Sequence, residues 1–353
     1  MNWQIFSAML IALLLAQWTY AETAEPVPLF ASHAPIAITL TADWNGLTRD
    51  QRKSPPYYEA ALTAVAGQSF EAPIPLKIRP RGKSRRLKEH CVFPPLRLNF
   101  STKQMTGTVF AGQDKLKLVT HCTRLGNKSQ TYSDQLHSEY LLYRIFNLVT
   151  PNSFLTRRLD ITYAYPGDSN KRAVTHPAFV IEHKSALANR TATALAEESV
   201  FKLKSLNAYQ AELGALFAYF AGNTDYSFTR GPTADECCHN SIALRSNEDV
   251  LPVPYDFDST GFVDPRYAAP AEKLRLRTVT QRLYRGFCRH QDELSAAREA
   301  FLSAQQSIEA LIQEYPDISE KRRRKLSRYT EGFYATLNNP KEFARRIKDR
   351  CRQ

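Results

Sequence analysis

The chain has 353 residues, with 47 Lys+Arg against 35 Asp+Glu, 43% hydrophobic content and only 13 Gly. That balance excludes collagen-like, coiled-coil and wholly disordered chains and leaves a globular protein. The formal charge is +12. Because no aromatic stacking motif is interleaved with the basic residues, it argues against nucleic acid and for an anionic envelope surface or a phosphorylated ligand.

In chain order, residues 1–21 carry no charged side chain and hold the apolar run Ala8–Ala16, followed by Thr19-Tyr20-Ala21. The run is short of the about 20 apolar residues that span a bilayer, so it is predicted to be a secretory signal peptide. No later stretch is apolar enough to span, and the mature protein is expected to be secreted or periplasmic, without a transmembrane segment. Residues 22–35, rich in Pro and Ala, read as a flexible leader. Ile36–Thr41 alternates as a strand does, and Tyr57–Val65 and Phe70–Pro80 are predicted to pair across Ala66-Gly67-Gln68. Pro95–Phe100 and Lys115–Val119 continue the alternation. Ser133 is the expected N-cap of a helix striped by Leu136, Tyr140 and Tyr143, ended by Pro151. Two strands follow at Leu159–Tyr165 and Ala178–Glu182, then an apolar helix over Ser205–Phe220 closed by Gly222. Short strands at Ser241–Leu244 and Leu251–Tyr255 precede three charged helices over 292–311, Ser319–Leu337 and from Pro340 onward. This order predicts an α+β chain with a β-rich front half over 36–182 and a helical back half over 183–353, with a ligand cleft at their junction.

All six cysteines lie after the signal, which favours disulfides in an exported chain. Cys91–Cys122 is one expected bridge, and a second is expected from the adjacent Cys237 and Cys238 to Cys288. The basic residues concentrate in Arg79–Lys88 and in Lys321–Lys325, the second read as a solvated face.

The densest run of unusual residues extends from Gly222 to Gly261. It holds Gly222-Asn223-Thr224-Asp225 after an apolar helix, Cys238-His239-Asn240 before a strand, and Pro254-Tyr255-Asp256-Phe257-Asp258 after the next. Carboxylates at strand ends are costly to desolvate unless a cation faces them. An Asp-x-Asp pair can turn its oxygens to one Mg²⁺, and a separate Asp can take the proton of an attacking hydroxyl. On this reading Asp225 is catalytic and Asp256 and Asp258 are candidate metal ligands; the plainer reading is that Asp225 caps a turn and Asp256 and Asp258 shape a Gly-containing loop. No G-x-x-x-x-G-K-[ST], H-E-x-x-H or G-x-S-x-G motif occurs, which leaves a P-loop NTPase, a zinc protease and an α/β-hydrolase without support.

These three segments, together with Ile78-Arg79-Pro80-Arg81-Gly82-Lys83-Ser84 and Pro95–Phe100, resemble the CotH-like secreted kinases. The similarity runs loosely over residues 75–265. It implies a protein-kinase-like two-lobed architecture and an exported phosphotransferase using ATP and Mg²⁺ or Mn²⁺ on a hydroxyl of a protein or envelope glycan. Asp225 would be the catalytic Asp and Asp256 the principal metal ligand, assisted by Asp258 or Asn240. A phosphate-binding cation is expected from Lys117, oriented by Glu139 on the next helix, or from Arg81 and Lys83 on a basic turn. The chain departs from the family pattern in two places. Asn240 follows Asp225 by 15 positions instead of about five, and Tyr226 stands where Arg or Trp is usual. The competing expectation is a catalytically inactive binding or assembly protein of the cell envelope, which the scarcity of ATP outside the cytoplasm favours.

Overall fold

The computed structural model describes residues 28–68, 72–167, 172–233 and 237–353; the expected signal peptide and the first part of the leader lie outside them. Seven strands form the front of the chain: β1 (Ile36–Ala42), β2 (Tyr58–Val65), β3 (Ile74–Pro80), β4 (Leu96–Phe100), β5 (Lys115–Val119), β6 (Thr156–Ala164) and β7 (Val174–Ile181). Their alternating apolar residues face one interior, where Ile38, Leu62, Ile78, Leu98, Leu118, Ile161 and Val180 are all buried. A sheet with one apolar face can cover that face by curling on itself, and this one closes.

The strand order around the closed barrel is β1-β2-β3-β4-β5-β7-β6, completed by parallel pairing of β1 with β6 from Ile36↔Leu159 to Thr41↔Ala164. The other pairings are antiparallel. This closed mixed barrel overturns the expected protein-kinase-like two-lobed architecture, whose front half would be an open sheet. The short helix α1 (Trp44–Arg49) and Pro28–Phe30 plug the barrel with Trp44, Leu47, Leu29 and Phe30. Part of the supposed leader is therefore anchored in the core, and Arg157 binds the Leu29 and Ser32 carbonyls.

The helix α2 (Gln130–Val149) lies between β5 and β6 in sequence and packs on the outer face of the barrel, on Val119, Phe179 and Ile181. It starts one turn before Ser133, at the N-cap Ser129. After β7 come α3 (Lys184–Arg190), the two-residue β8 (Ala194–Leu195) and α4 (Ala208–Ala221), which is buried on all sides from Gln210 onward. The strands β9 (Ser241–Ser246) and β10 (Asp249–Pro254) join β8 in a small sheet of order β10-β9-β8. The helices α5 (Leu294–Ser303), α6 (Gln305–Glu314), α7 (Glu320–Asn338) and α8 (Pro340–Arg346) complete the second core.

Three disulfides form among the described residues. Cys91–Cys122 is as expected, but Cys237 and Cys238 pair with each other and Cys288 pairs with Cys351. The Lys321–Lys325 run is not a free basic face. Arg322 is buried and donates to Ser138 Oγ and to the Phe262 and Val263 carbonyls, Arg323 binds the Ile312 and Gln313 carbonyls, and Lys325 pairs with Asp264. Among the described residues no helix is long and apolar enough to cross a membrane.

Candidate functional site

Two adjoining cavities of about 370 and 650 Å³ lie where the barrel meets the helical part, and Cys238 and Tyr255 line both. Asp225 and Asp256 follow the ends of α4 and β10, whereas Lys117 and Glu139 come from within β5 and α2. Gly222 ends α4 in the left-handed conformation, with φ 67°. An added Cβ there would meet the Gly261 backbone nitrogen at 3.2 Å. Only glycine suits that sharp stop. It turns the chain into Asn223, whose buried side chain accepts the Asp225 N–H at 2.9 Å.

Asp225 projects into the smaller cavity, with 68% of its side chain exposed. His239 Nε2 lies 2.7 Å from its Oδ1, and Asn240 donates its amide to the Asp225 carbonyl at 2.7 Å and to Oδ2 at 3.2 Å. The hydrogen bond from His239 holds the Asp225 carboxyl below its usual range, and the same bond raises the imidazole. The 15-residue gap before Asn240 is thus a loop folded back on its own start. The departure at Tyr226 has a structural reason: the ring is buried against Phe228 and covered by Arg285, whose guanidinium lies 5.3 Å from the ring centre.

At the end of β10, Asp256 adopts φ 66° while its N–H donates to Tyr143 Oη at 3.0 Å. A non-glycine residue held in that region is costly and tends to occur where function demands it. Asp256 and Asp258 line the same cavity as Asp225. Both also face Arg85, a residue that sequence reasoning left inside the basic run. Arg85 lies in the turn Ser84–Arg86, is buried, and binds Glu139 of α2 through two bonds of 3.0 and 3.3 Å. Its Nε is 3.2 Å from Asp258 Oδ2 and its Nη2 is 3.7 Å from Asp256 Oδ1. Tyr267 donates to Asp258 Oδ2 at 2.7 Å. Burial pushes the Glu139 carboxyl up to about 7 against the opposing pull of Arg85, and burial raises Asp258 in the same way.

Glu139 therefore orients Arg85 and not Lys117, which corrects the expected pairing. A buried glutamate in an apolar helix face is the one signal that could have pointed to a hidden cation. Lys117, half-buried on β5 in the larger cavity, places its ammonium 3.9 Å from the Tyr255 ring centre. Burial first, then repulsion from Arg81, lowers it to about 7. Arg81 and Lys83 line the smaller cavity; Arg97, Lys115 and Lys184 join Lys117 in the larger one. Glu182, expected to close a buried strand beside His183, is bound by Arg190 at 3.0 Å.

The donor set discriminates between candidate metal ligands. Asp258 is held through Oδ2 by Arg85 and Tyr267, and Asn240 turns its amide nitrogen to Asp225, bonds that leave uncommitted the amide oxygen with which an Asn would ligate a metal. Asp256 fits the role: its side chain is 36% exposed and, among the described residues, its carboxylate accepts no hydrogen bond. Mg²⁺ is commonly held by one or two carboxylates plus substrate phosphates and waters. One open carboxylate suits an ion carried in with a polyphosphate, whereas among the described residues no group of three or more His, Cys, Asp or Glu is arranged to hold a metal alone. No protein-family model matches the chain, and no curated protein matches it.

Proposed function

We propose that the cleft is a phosphotransfer site in an exported protein: a nucleoside triphosphate lies along Lys117 and Arg81, and its terminal phosphoryl group passes to a hydroxyl of a protein or envelope glycan beside Asp225. The supporting observation is the convergence of Asp225 with the distant Asp256-x-Asp258 pair on one cavity whose other wall is basic. The motifs shared with CotH-like secreted kinases support the same chemistry without the kinase-like fold. The three disulfides suit a compartment outside the cytoplasm.

In this reaction the acceptor oxygen bonds to phosphorus as the bond to the nucleoside diphosphate breaks. Asp225 orients the acceptor hydroxyl and takes its proton late, a role that a weakly basic carboxylate can fill when the transition state is loose. His239 and Asn240 fix the carboxylate's direction. Lys117 and Arg81 compensate charge on the donor. Arg85, fixed by Glu139, keeps Asp258 in place and leaves one face of Asp256 open. A divalent ion on Asp256 would neutralise phosphate charge when bound.

The test uses mature protein. ATP with Mn²⁺ is expected to raise the melting temperature, Asp256→Ala to remove that gain, and Asp225→Asn to keep it while abolishing transfer of labelled phosphate to an acceptor. No shift at millimolar nucleotide overturns the proposal. The second reading, an envelope-binding protein without catalysis, is favoured by Arg85, whose guanidinium already pairs with Glu139, Asp258 and, at 3.7 Å, Asp256. It predicts retention on anionic envelope polymer that declines with salt and ignores nucleotide.

A further inference from the structure

Asp225 and Asn240 are the two ends of one loop, and their contact depends on how its arms meet. The arms are joined by the bridge Ser227↔His239, with N–H···O bonds of 2.9 and 3.2 Å in the two directions. The Cys237–Cys238 disulfide immediately precedes His239, and Cys238 Sγ lies 3.2 Å from the Phe228 carbonyl oxygen on the opposite arm. Cys238 also lines both cavities of the cleft.

The other two disulfides close loops with sequence separations of 31 and 63. A bond between neighbours, with a separation of 1, closes no chain loop, so loop entropy gives it almost no part in global stability. What it restricts is the backbone of two residues, at the point where the loop returns to Asp225. A segment whose conformational freedom is already reduced loses less entropy when it docks.

We propose that the Cys237–Cys238 disulfide is a redox-sensitive positioning element: closed, it holds His239 and Asn240 on Asp225, and a dithiol partner opens it and slackens the loop. In the opening step one thiolate of the partner bonds to a sulfur of the pair and expels the other as thiolate. The partner's second thiol then attacks the mixed disulfide. The partner leaves as a disulfide, and Cys237 and Cys238 become thiols by gaining its two electrons and two protons. Both cysteines are half-buried at the cleft, whereas Cys91 and Cys122 are buried. A soluble dithiol therefore reaches the adjacent pair before Cys91–Cys122.

The loop-positioning half stands on geometry alone; its effect on catalysis rests on the phosphotransfer reading. The experiment compares mature wild-type protein with Cys237→Ser/Cys238→Ser by amide hydrogen exchange. The Ser227 and His239 amides are expected to exchange at least about tenfold faster in the variant while barrel amides are unchanged. Where transfer is measurable, kcat falls and KM for nucleotide stays within about twofold, because the basic wall is untouched. Unchanged exchange at Ser227 and His239 overturns the proposal whether or not the protein transfers phosphate. A slackened loop without transfer by the wild type upholds the positioning and sinks the phosphotransfer reading. As a second measurement on the wild type, graded dithiothreitol followed by alkylation and mass spectrometry is expected to label Cys237 and Cys238 before Cys91 and Cys122. Labelling in the reverse order overturns the redox sensitivity.

Discussion

Lys117 and Arg85 are both cations of the cleft, and their surroundings give them opposite characters. Arg85 touches three carboxylates and stays charged at any working pH. Lys117 is desolvated by burial and repelled by Arg81 and other basic neighbours, which together lower it to about 7. A bound polyphosphate favours its protonated form. Below pH 7 that charge is present before binding, and above it each pH unit requires protonation on binding. Affinity for ATP, measured by calorimetry, is therefore expected to fall by up to about tenfold per pH unit from about pH 7 upward. Lys117→Arg, which cannot deprotonate, is expected to flatten that profile; an equally steep fall in the variant would assign the titration elsewhere. Of the cleft's chemistry, the sequence made Asp225 visible by its place after an apolar helix and Asp256 by its strand-end Asp-x-Asp spacing, whereas Lys117 followed from the resemblance alone. The sequence hid Arg85 because six basic residues crowd one short run, and only tertiary contact with Glu139 singles one out.

Element boundaries place Asp225 and Asp256, and α4 shows how tightly. Its C-terminal Gly222 meets Tyr329 and Gly261 so closely that both the conformation and the space exclude a side chain. Gly222→Ala is expected to cost more than about 1 kcal/mol in urea denaturation, and to weaken nucleotide binding further by moving Asn223 and Asp225. Equal stability would show that the helix end can relax. This stop was legible because an apolar helix followed by Gly-Asn has few other solutions. The start of α2 was less so. Ser133 and Ser129 are both plausible caps one turn apart; the helix begins after Ser129, whose side chain makes no capping bond, so no cap chemistry marks the start in the sequence. The short helices α1 and α3 lack the length for a periodic signal and follow from packing alone.

For the whole molecule, alternation revealed which residues face inward but not that the sheet closes. An open sheet and a barrel share that pattern, and the closing contact joins Ile36 to Leu159 across most of the front half. The pairing of the cysteines was equally dependent on tertiary structure. Cys288 had two candidate partners nearer in sequence, yet it bonds to Cys351, tying the end of the chain beside Phe287 through the Phe287↔Arg352 bridge. Cys288→Ser/Cys351→Ser is expected to lose about 2–4 kcal/mol in chemical denaturation under oxidising conditions. A loss within error would mean that Arg352, donating to the Arg285 carbonyl at 2.8 Å, secures the terminus unaided.

The completed ring of β1 to β7 also limits how other proteins can engage this one. Every strand in it already has neighbours on both sides, so a partner peptide cannot extend it by strand donation. In the small sheet, β10 is flanked by Leu206 through its bridge to Val250. On the phosphotransfer reading, an acceptor would then be recognised by side chains and loops around the cleft, which makes specificity open to change by point substitution while the scaffold stays the same.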